Sequence, residues 1–252
     1  ERILYYKMLP YFAFSQWLGL KKYAFDNGIS IIGDMPIYVA GDSADVWANR
    51  EIFKLDSNLE ASDLAGCPPD YFSPDGQLWG NPVYDWRKLK KEKYAWWIER
   101  LNHSFKIYDI VRIDHFRGFE SYYSIKAGSK TARKGAWRKG GGKSFFDALP
   151  KEFNDRIIAE NLGFLTDEVD KLLEYTGFPG MKVLQFSFDS RDENSKTLPD
   201  DIKKNNVVYT GTHDNDTILG WSQNADKKDV AYANRTNSYY DSFGRSVADC
   251  TF

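Results

Sequence analysis

The stretch YDIVRID, residues 108–114, decides the fold class, because it has the composition of a short buried β-strand that ends in a carboxylate. Its β-branched residues favour a strand. The residues before it, 86–105, carry aromatic and aliphatic side chains at helical spacing and predict a helix facing the core. A helix followed by a buried strand is the repeating unit of a parallel α/β sheet.

The same pairing recurs along the chain. Helices are predicted over 11–27, 86–105 and 165–175, the last with Thr166 as its N-cap. Strands are predicted at the following places: 29–34, 108–114, 156–160, 181–188 and 206–212. Five strands alternating with helices indicate a parallel sheet. The pattern alone leaves two architectures open, an open sheet and a (β/α)8 TIM barrel that lacks some of its strands.

Two long stretches interrupt the alternation, near 38–84 and 118–143. The first is rich in Asp, Pro, Gly and aromatic residues and has no sustained period. The second holds a hairpin around 122–125 and a basic, Gly-rich segment. Connections of this length are uncommon unless they have a function, so we interpret them as inserted active-site loops. Since no repeat or linker divides the chain, residues 1–252 are taken as one catalytic α/β domain.

The composition narrows the class of protein. The 34 basic and 36 acidic residues leave a formal charge of −2, so no basic surface for nucleic acid is predicted. Apolar runs are far shorter than the ~20 residues of a membrane helix, and no signal peptide is recognised at Glu1. Cys67 and Cys250 form no CxxC pair, so we expect a soluble protein of the reducing cytoplasm. The 16% aromatic content would suit a sugar-binding groove.

Carboxylates follow four of the predicted strands. They are Asp34, Asp114, Glu160 and Asp214. A single acid at a strand end is commonly a solvated residue or a helix cap, but the carboxyl ends of parallel strands meet at one edge, where α/β proteins bind ligands. Four acids at that edge therefore predict a reactive site.

The neighbours of these acids suggest different roles for them. Arg112 and Asp114 point to the same face of one strand, so the guanidinium should lower the pKa of Asp114, as a nucleophile requires. Glu160 follows apolar residues that should raise its pKa and suit a general acid. His115 and His213 each adjoin an acid, a placement that favours hydrogen bonding to a polar substrate.

Two carboxyl groups with opposite pKa demands are what glycosidic-bond chemistry uses. One protonates the departing sugar oxygen, and the other attacks or stabilises the oxocarbenium-like carbon. The alternative is a hard-cation site, for which the candidate pairs are Asp42 with Asp45 and Asp214 with Asp216. Since neither EF-hand spacing nor HExxH occurs, we expect no metal and no cofactor.

Six segments of the sequence resemble motifs of the 4-α-glucanotransferases, which are also called the amylomaltase or disproportionating-enzyme family of the α-amylase clan. They are GDMPIYVAGDSADVW (33–47), GCPPDYFSPDGQLWGNPVYDW (66–86), VRIDHFRGFE (111–120), IIAENLG (157–163), GFPGMKVLQF (177–186) and VVYTGTHDNDT (207–217). The second and third segments are highly specific. The resemblance implies that residues 1–252 are a partial catalytic (β/α)8 TIM barrel that lacks its N- and C-terminal elements. It also implies that the enzyme moves α-1,4-linked glucan segments between maltooligosaccharides by a retaining double displacement, with glucose or maltooligosaccharides as acceptors.

The resemblance also implies roles for individual residues. Asp114 would be the nucleophile that forms a covalent glycosyl-enzyme, Glu160 the general acid/base, and Asp214 the stabiliser of the transition state. The implied substrate-binding residues are Asp34, Tyr38, Trp79, Arg112, His115 and His213. Trp79 would be a stacking platform in an active-site loop that also holds Tyr71 and Phe72.

Three other interpretations remain at this point. A hydrolase of the same clan would share the acids, and a non-catalytic glucan-binding relative would share the fold. Because family members extend upstream of Glu1 and downstream of Phe252, the third is an inactive partial barrel. The compartment would be the cytoplasm, or the plastid stroma in a plant or alga. The oligomeric state is not indicated.

Overall fold

The computed structural model describes residues 2–70, 73–191, 198 and 202–240. Contacts divide the chain into two compact units, residues 1–178 and 179–252. The helices of the first unit are α1 (Arg2–Asp26), α2 (Ala44–Ala48), α3 (Trp86–Lys91), α4 (Ala95–Ile107), α5 (Arg117–Glu120), α6 (Gly142–Phe146) and α7 (Asp167–Thr176). Its strands are β1 (Ile32–Met35), β2 (Asp63–Cys67), β3 (Gln77–Pro82), β4 (Ile110–Ile113), β5 (Ser121–Lys126), β6 (Gly135–Lys139) and β7 (Ile157–Ala159).

A parallel sheet of order β1-β4-β7 forms the centre of the first unit. Its register places Asp34 opposite Arg112, and Arg112 opposite Ile158. These strands are three of the five predicted ones, and each is shorter than the sequence segment from which it was predicted. The parallel pairing predicted from the alternation is confirmed.

An antiparallel sheet of order β3-β2-β5-β6 occupies the two stretches that lacked a period in the sequence. The hairpin expected around 122–125 is confirmed by the pairing of β5 with β6, in which Tyr123 lies opposite Trp137. The insertion near 38–84, for which no period was found, contains strands: β2 and β3 pair with each other, and β2 also pairs with β5.

The helix predictions need two corrections. The first predicted helix begins at Arg2 instead of residue 11, and Ala24 is its one buried residue among those described. Apolar side chains surround α1 on all sides, so their density did not identify a face toward the core. The predicted helix 86–105 is divided into α3 and α4, because Lys93 and Tyr94 have positive φ angles of 52° and 58° between them.

Aromatic side chains fill the core of the first unit. Trp97 and Phe119 are fully buried with ring centroids 5.2 Å apart, and Phe145 lies 4.8 Å from Phe119. Much of the aromatic excess therefore serves packing instead of substrate binding.

The second unit contains β8 (Gly180–Val183), β9 (Asn206–Tyr209), α8 (Ile218–Asn224) and α9 (Lys227–Tyr240). β8 and β9 pair in parallel. The strand predicted over 181–188 is wrong in its second half, where residues Leu184–Phe188 form a 3-10 helix. Phe188 packs there with Ile218 and Tyr232 in a small core. No helix among the described residues combines the length and the apolarity needed to cross a bilayer.

Candidate active site

An arginine joins the acids of two neighbouring strands. Arg112 Nη1 lies 2.5 Å from Asp34 Oδ1 and 3.0 Å from Asp114 Oδ1. The parallel register accounts for the first contact, because it places Asp34 directly opposite Arg112. Burial opposes the charge of the guanidinium, but the hydrogen bond from Arg112 to Asp34 and the nearby carboxylates outweigh it and raise the pKa of Arg112.

Backbone hydrogen bonds continue one residue beyond the ends of β4 and β7, and they position the two acids that follow these strands. The amide of Asp114 donates to the carbonyl of Met35 at 3.0 Å, and the amide of Glu160 donates to that of Ile113 at 2.9 Å. Asp114 and Glu160 therefore leave the carboxyl ends of adjacent strands, as the sequence predicted. This is the edge where parallel α/β sheets carry their reactive groups.

The Glu160 side chain is 8% exposed and is held by two backbone amides. His115 N–H donates to Oε2 and Leu162 N–H donates to Oε1, each at 2.7 Å. Burial raises the pKa of Glu160 to about 7, with a further contribution from the charge of Asp114, while the two amides and Arg112 oppose the shift. The shift has the direction expected from the apolar neighbours of Glu160, and a carboxyl group with this pKa can carry a proton near neutral pH.

His115 combines an unusual backbone with a neutral ring. Its φ angle is +50°, a region that non-glycine residues seldom occupy. This conformation belongs to the same residue whose amide reaches Glu160. Burial lowers the pKa of the imidazole to about 4, and the charge of Arg117 adds to the effect. His115 is therefore uncharged at neutral pH and can both donate and accept a hydrogen bond.

An aromatic wall adjoins His115. The rings of Trp79 and His115 meet edge to face with centroids 4.9 Å apart, and Trp79 lies 6.2 Å from Tyr38. Tyr38 in turn stacks on Tyr84 at 5.7 Å. Gly118 makes room for this arrangement, because a Cβ there would approach Ile37 Cδ1 to 2.5 Å. The structure thus brings the predicted Tyr38, Trp79 and His115 together.

The remaining two predicted residues lie in the second unit, in the loop after β9. His213 Nε2 is 3.5 Å from Asp214 Oδ2, and their side chains are 68% and 73% exposed. Asn215 Oδ1 shapes the loop by accepting hydrogen bonds from the amide and the hydroxyl of Thr212, at 3.0 and 2.9 Å. Asp214 therefore presents its carboxylate to solvent on a turn stabilised by its neighbours.

Sequence reasoning missed Arg117, a buried cation three residues after Asp114. Its Nη1 donates to the carbonyl of Phe164 at 2.6 Å, its Nη2 donates to Ser121 Oγ at 3.0 Å, and its guanidinium lies 3.7 Å from the centre of the Trp137 ring. An arginine next to the predicted nucleophile was a signal in the sequence, but nothing there indicated that it would be buried.

Two further expectations concern metals and the active-site loop. Across the part of the chain that the structure describes, no group of three or more His, Cys, Asp or Glu side chains could hold a metal ion. Tyr71 and Phe72, expected in the loop near Trp79, lie outside the described residues. Cys67 is a free thiol, and Cys250 also lies outside the described residues.

The arrangement in the first unit supports paired-carboxyl chemistry. Asp114 contacts a cation that favours its ionised form, while Glu160 is buried and can hold a proton. An ionised carboxylate beside a protonated one can act as nucleophile and acid on opposite sides of a glycosidic bond.

Comparisons with known proteins agree with this chemistry. The family model described as 4-alpha-glucanotransferase matches residues 1–249. The chain is 60% identical over 225 residues to the 4-alpha-glucanotransferase of Streptococcus pneumoniae serotype 4, covering 89% of this chain and 44% of the relative. It is 52% identical over 223 residues to the 4-alpha-glucanotransferase of Clostridium butyricum, covering 88% and 46%.

A solved structure is also similar. The amylomaltase from Streptococcus agalactiae, solved in complex with acarbose, matches with a TM-score of 0.85 and 46% identity. The match covers 89% of this chain and 46% of that one. The chain spans about half the length of the relatives it matches.

Proposed function

We propose that this chain, which belongs to the 4-alpha-glucanotransferase family, transfers α-1,4-linked glucan segments from one maltooligosaccharide to another. The observation that carries the proposal is the hydrogen bond from the His115 amide to the buried Glu160, which holds the acid beside the residue that follows Asp114. The substrates are uncharged glucans, with glucose or a maltooligosaccharide as acceptor. The reaction needs no metal and no cofactor, because carboxyl groups supply both the acid and the nucleophile.

The first half of the reaction cleaves the donor. A carboxylate oxygen of Asp114 attacks the anomeric carbon and forms a covalent ester, while the bond from that carbon to the leaving oxygen breaks. Protonated Glu160 gives its proton to that oxygen, so the shortened glucan departs as an alcohol and Glu160 becomes a carboxylate. The elevated pKa of Glu160 supports this role, since the acid must still hold its proton near neutral pH.

The second half transfers the bound segment. Ionised Glu160 takes the proton from the 4-hydroxyl of an acceptor glucan, and that oxygen attacks the anomeric carbon. The ester to Asp114 breaks, which restores both carboxyl groups to their starting states. Two inversions at one carbon retain the α configuration.

The other predicted residues bind and orient the sugar. Arg112 favours the ionised form of Asp114 and links it to Asp34. Trp79 offers a partly exposed ring face to glucose, the buried Tyr38 supports Trp79 from behind, and neutral His115 offers hydrogen bonds.

The family resemblance supports a role for Asp214 as the carboxylate that stabilises the transition state, with His213 beside it binding the donor glucose. We also infer that the parallel strands are part of a (β/α)8 barrel whose remaining elements lie outside these 252 residues. The proposed location is the cytoplasm, or the plastid stroma in a plant or alga, in keeping with a sequence that has two cysteines and no CxxC pair.

Incubation with maltotriose tests the function. Transfer converts maltotriose into glucose and longer maltooligosaccharides without changing the number of reducing ends, whereas hydrolysis increases that number. We expect transfer by the protein and a loss of at least ~10²-fold in rate for Glu160→Gln, which removes the acid/base.

Asp114→Asn is the companion variant and should be inactive, because it cannot form the ester. A steady rise in reducing ends without longer products would assign the protein as a hydrolase. Near-normal turnover by either variant would contradict the roles given to the two carboxyl groups.

A further inference from the structure

A cavity of about 260 Å³ lies beside the segment that follows Glu160. Its lining includes Trp137 and Arg138 of β6 and Phe164. The volume is slightly below the ~300–1,000 Å³ of pockets that enclose drug-sized ligands, so it suits one sugar ring better than a larger ligand. None of the residues assigned a catalytic or binding role above lines this cavity.

The cavity wall contains an aromatic platform. Phe164 is 63% exposed, and its ring is nearly parallel to that of Trp137, with centroids 6.1 Å apart and an interplanar angle of 19°. Arg117 contacts both residues, because its guanidinium lies 3.7 Å from the centre of the Trp137 ring and 5.7 Å from that of the Phe164 ring, and it donates to the backbone carbonyl of Phe164 at 2.6 Å. An exposed ring held by a buried arginine offers a rigid apolar face at low entropic cost.

Polar side chains surround this platform with nearly balanced charge. The lining carries Arg117, Arg138, Lys139, Glu120 and Glu168. Lys139 forms an ion pair with Glu120, so part of this charge is already neutralised within the wall. Three cations and two carboxylates give no strong preference for a charged ligand, but they offer hydrogen bonds to hydroxyl groups.

The connection to Glu160 indicates which part of a substrate would reach the cavity. Leu162 N–H holds the Glu160 carboxylate, and two residues later Phe164 lines the cavity. In the proposed reaction Glu160 handles the oxygen that leaves in the first step and attacks in the second. A cavity lined by the chain that continues from Glu160 would suit the part of the glucan on the acceptor side of the cleavage point.

We propose that Phe164, supported by Trp137 and Arg117 and flanked by Arg138, forms a subsite for a glucose unit of the acceptor or leaving glucan, beyond the unit that reacts. The proposal rests on the proposed function and adds a specificity element to it. The apolar face of the pyranose lies on the Phe164 ring, and its hydroxyl groups face Arg138. A single glucose acceptor is too short to use this subsite fully, whereas a maltooligosaccharide spans it.

Phe164→Ala tests the subsite, because it removes an exposed ring with little risk to folding. Transfer from one donor is measured with glucose and with maltotetraose as competing acceptors. We expect the preference for maltotetraose over glucose to fall about 3- to 10-fold, the effect of losing one aromatic contact, through KM more than kcat. Arg138→Ala should lower the same ratio to a smaller extent.

Tyr175→Ala is the matched control, because Tyr175 is a half-exposed ring on α7 that does not line the cavity. It should leave the ratio unchanged. The Kd of maltoheptaose, measured by calorimetry in the Asp114→Asn background, gives a second readout that requires no turnover. Phe164→Ala should raise this Kd by about the same factor.

An unchanged acceptor ratio together with an unchanged Kd for Phe164→Ala would overturn the subsite, even if transfer itself is normal. Absence of transfer by the unmodified protein, with a Kd that still responds to Phe164→Ala, would instead overturn the proposed function and retain the binding site.

Discussion

At the scale of single residues, Glu160 and His115 are neighbours with opposite responses to burial. Burial raises the pKa of the carboxyl group from 4.5 to about 7 and lowers that of the imidazole from 6.5 to about 4. In both cases the uncharged form is favoured, because the low-dielectric interior penalises charge. At neutral pH the site thus holds an uncharged imidazole beside a carboxyl group close to its titration midpoint.

These shifts affect stability in opposite directions. For Glu160 the folded-state pKa lies above the unfolded one, so its contribution to the free energy of unfolding is full below about pH 4.5 and is lost as the pH rises through about 7. For His115 the folded-state pKa lies below the unfolded one, so its contribution is full above about pH 6.5 and is lost as the pH falls through about 4. The two effects partly cancel between these limits.

Glu160→Gln separates the two contributions, because the amide cannot ionise. We expect the variant to gain stability relative to the unmodified protein as the pH rises from about 5 to about 8, by up to the order of 3 kcal/mol. Denaturant unfolding at several pH values measures this difference. Glu99→Gln, at an exposed position on α4, is the control and should show no such trend. A constant difference across the pH range would contradict the burial of an ionisable group at Glu160.

At the scale of elements, the sequence predicted the parallel strands better than the antiparallel ones. The strands ending near Asp114 and Glu160 are at least half-buried, the strand with Asp34 alternates exposed and buried residues, and the β-branched composition of all three predicted segments marks them as strands. β2 and β3, in contrast, contain Gly and Pro and show no alternation, and they form by pairing with each other and, for β2, with β5. Tertiary pairing of this kind leaves no local signal.

The sequence likewise predicted the acids of the candidate site but not the contacts that hold them. The acids at strand ends follow from topology, but the contact between the His115 amide and Glu160 depends on one positive φ angle. The burial of Arg117 depends on Trp137, from a hairpin twenty residues further along the chain. Contacts between distant segments of this kind could not be inferred from either segment alone.

Close packing on β1 yields a prediction for that strand. A Cβ at Gly33 would lie 2.0 Å from Cδ2 of Tyr108, far inside contact distance, so the ring covers the strand only because glycine is there. Gly33→Ala should lower the free energy of unfolding by about 1–3 kcal/mol through overpacking. Gly19→Ala, in α1 with nothing within 4 Å, is the matched control and should be neutral or stabilising by ~0.5–1 kcal/mol. Equal melting temperatures for Gly33→Ala and the parent would refute this packing.

At the scale of the whole molecule, the formal charge of −2 suits an uncharged substrate. Salt screens interactions between exposed charges, but it has little effect on ring stacking and on hydrogen bonds to hydroxyl groups. We therefore expect the KM for maltotriose to change less than about 2-fold between roughly 0.05 and 0.5 M NaCl. A steep rise in KM with salt would indicate that charge recognition contributes to binding.

The bond between Asp114 and His115 has a consequence for how the reactive groups respond to temperature. One peptide unit carries the Asp114 carbonyl and the N–H that holds Glu160, so a planar peptide and one hydrogen bond link the backbone of Asp114 to the Glu160 carboxyl group. Packed interiors expand on warming, whereas bond lengths and planar peptides hardly change. This link should consequently survive heating until the sheet itself unfolds, so that the proposed activity and the folded structure are lost together.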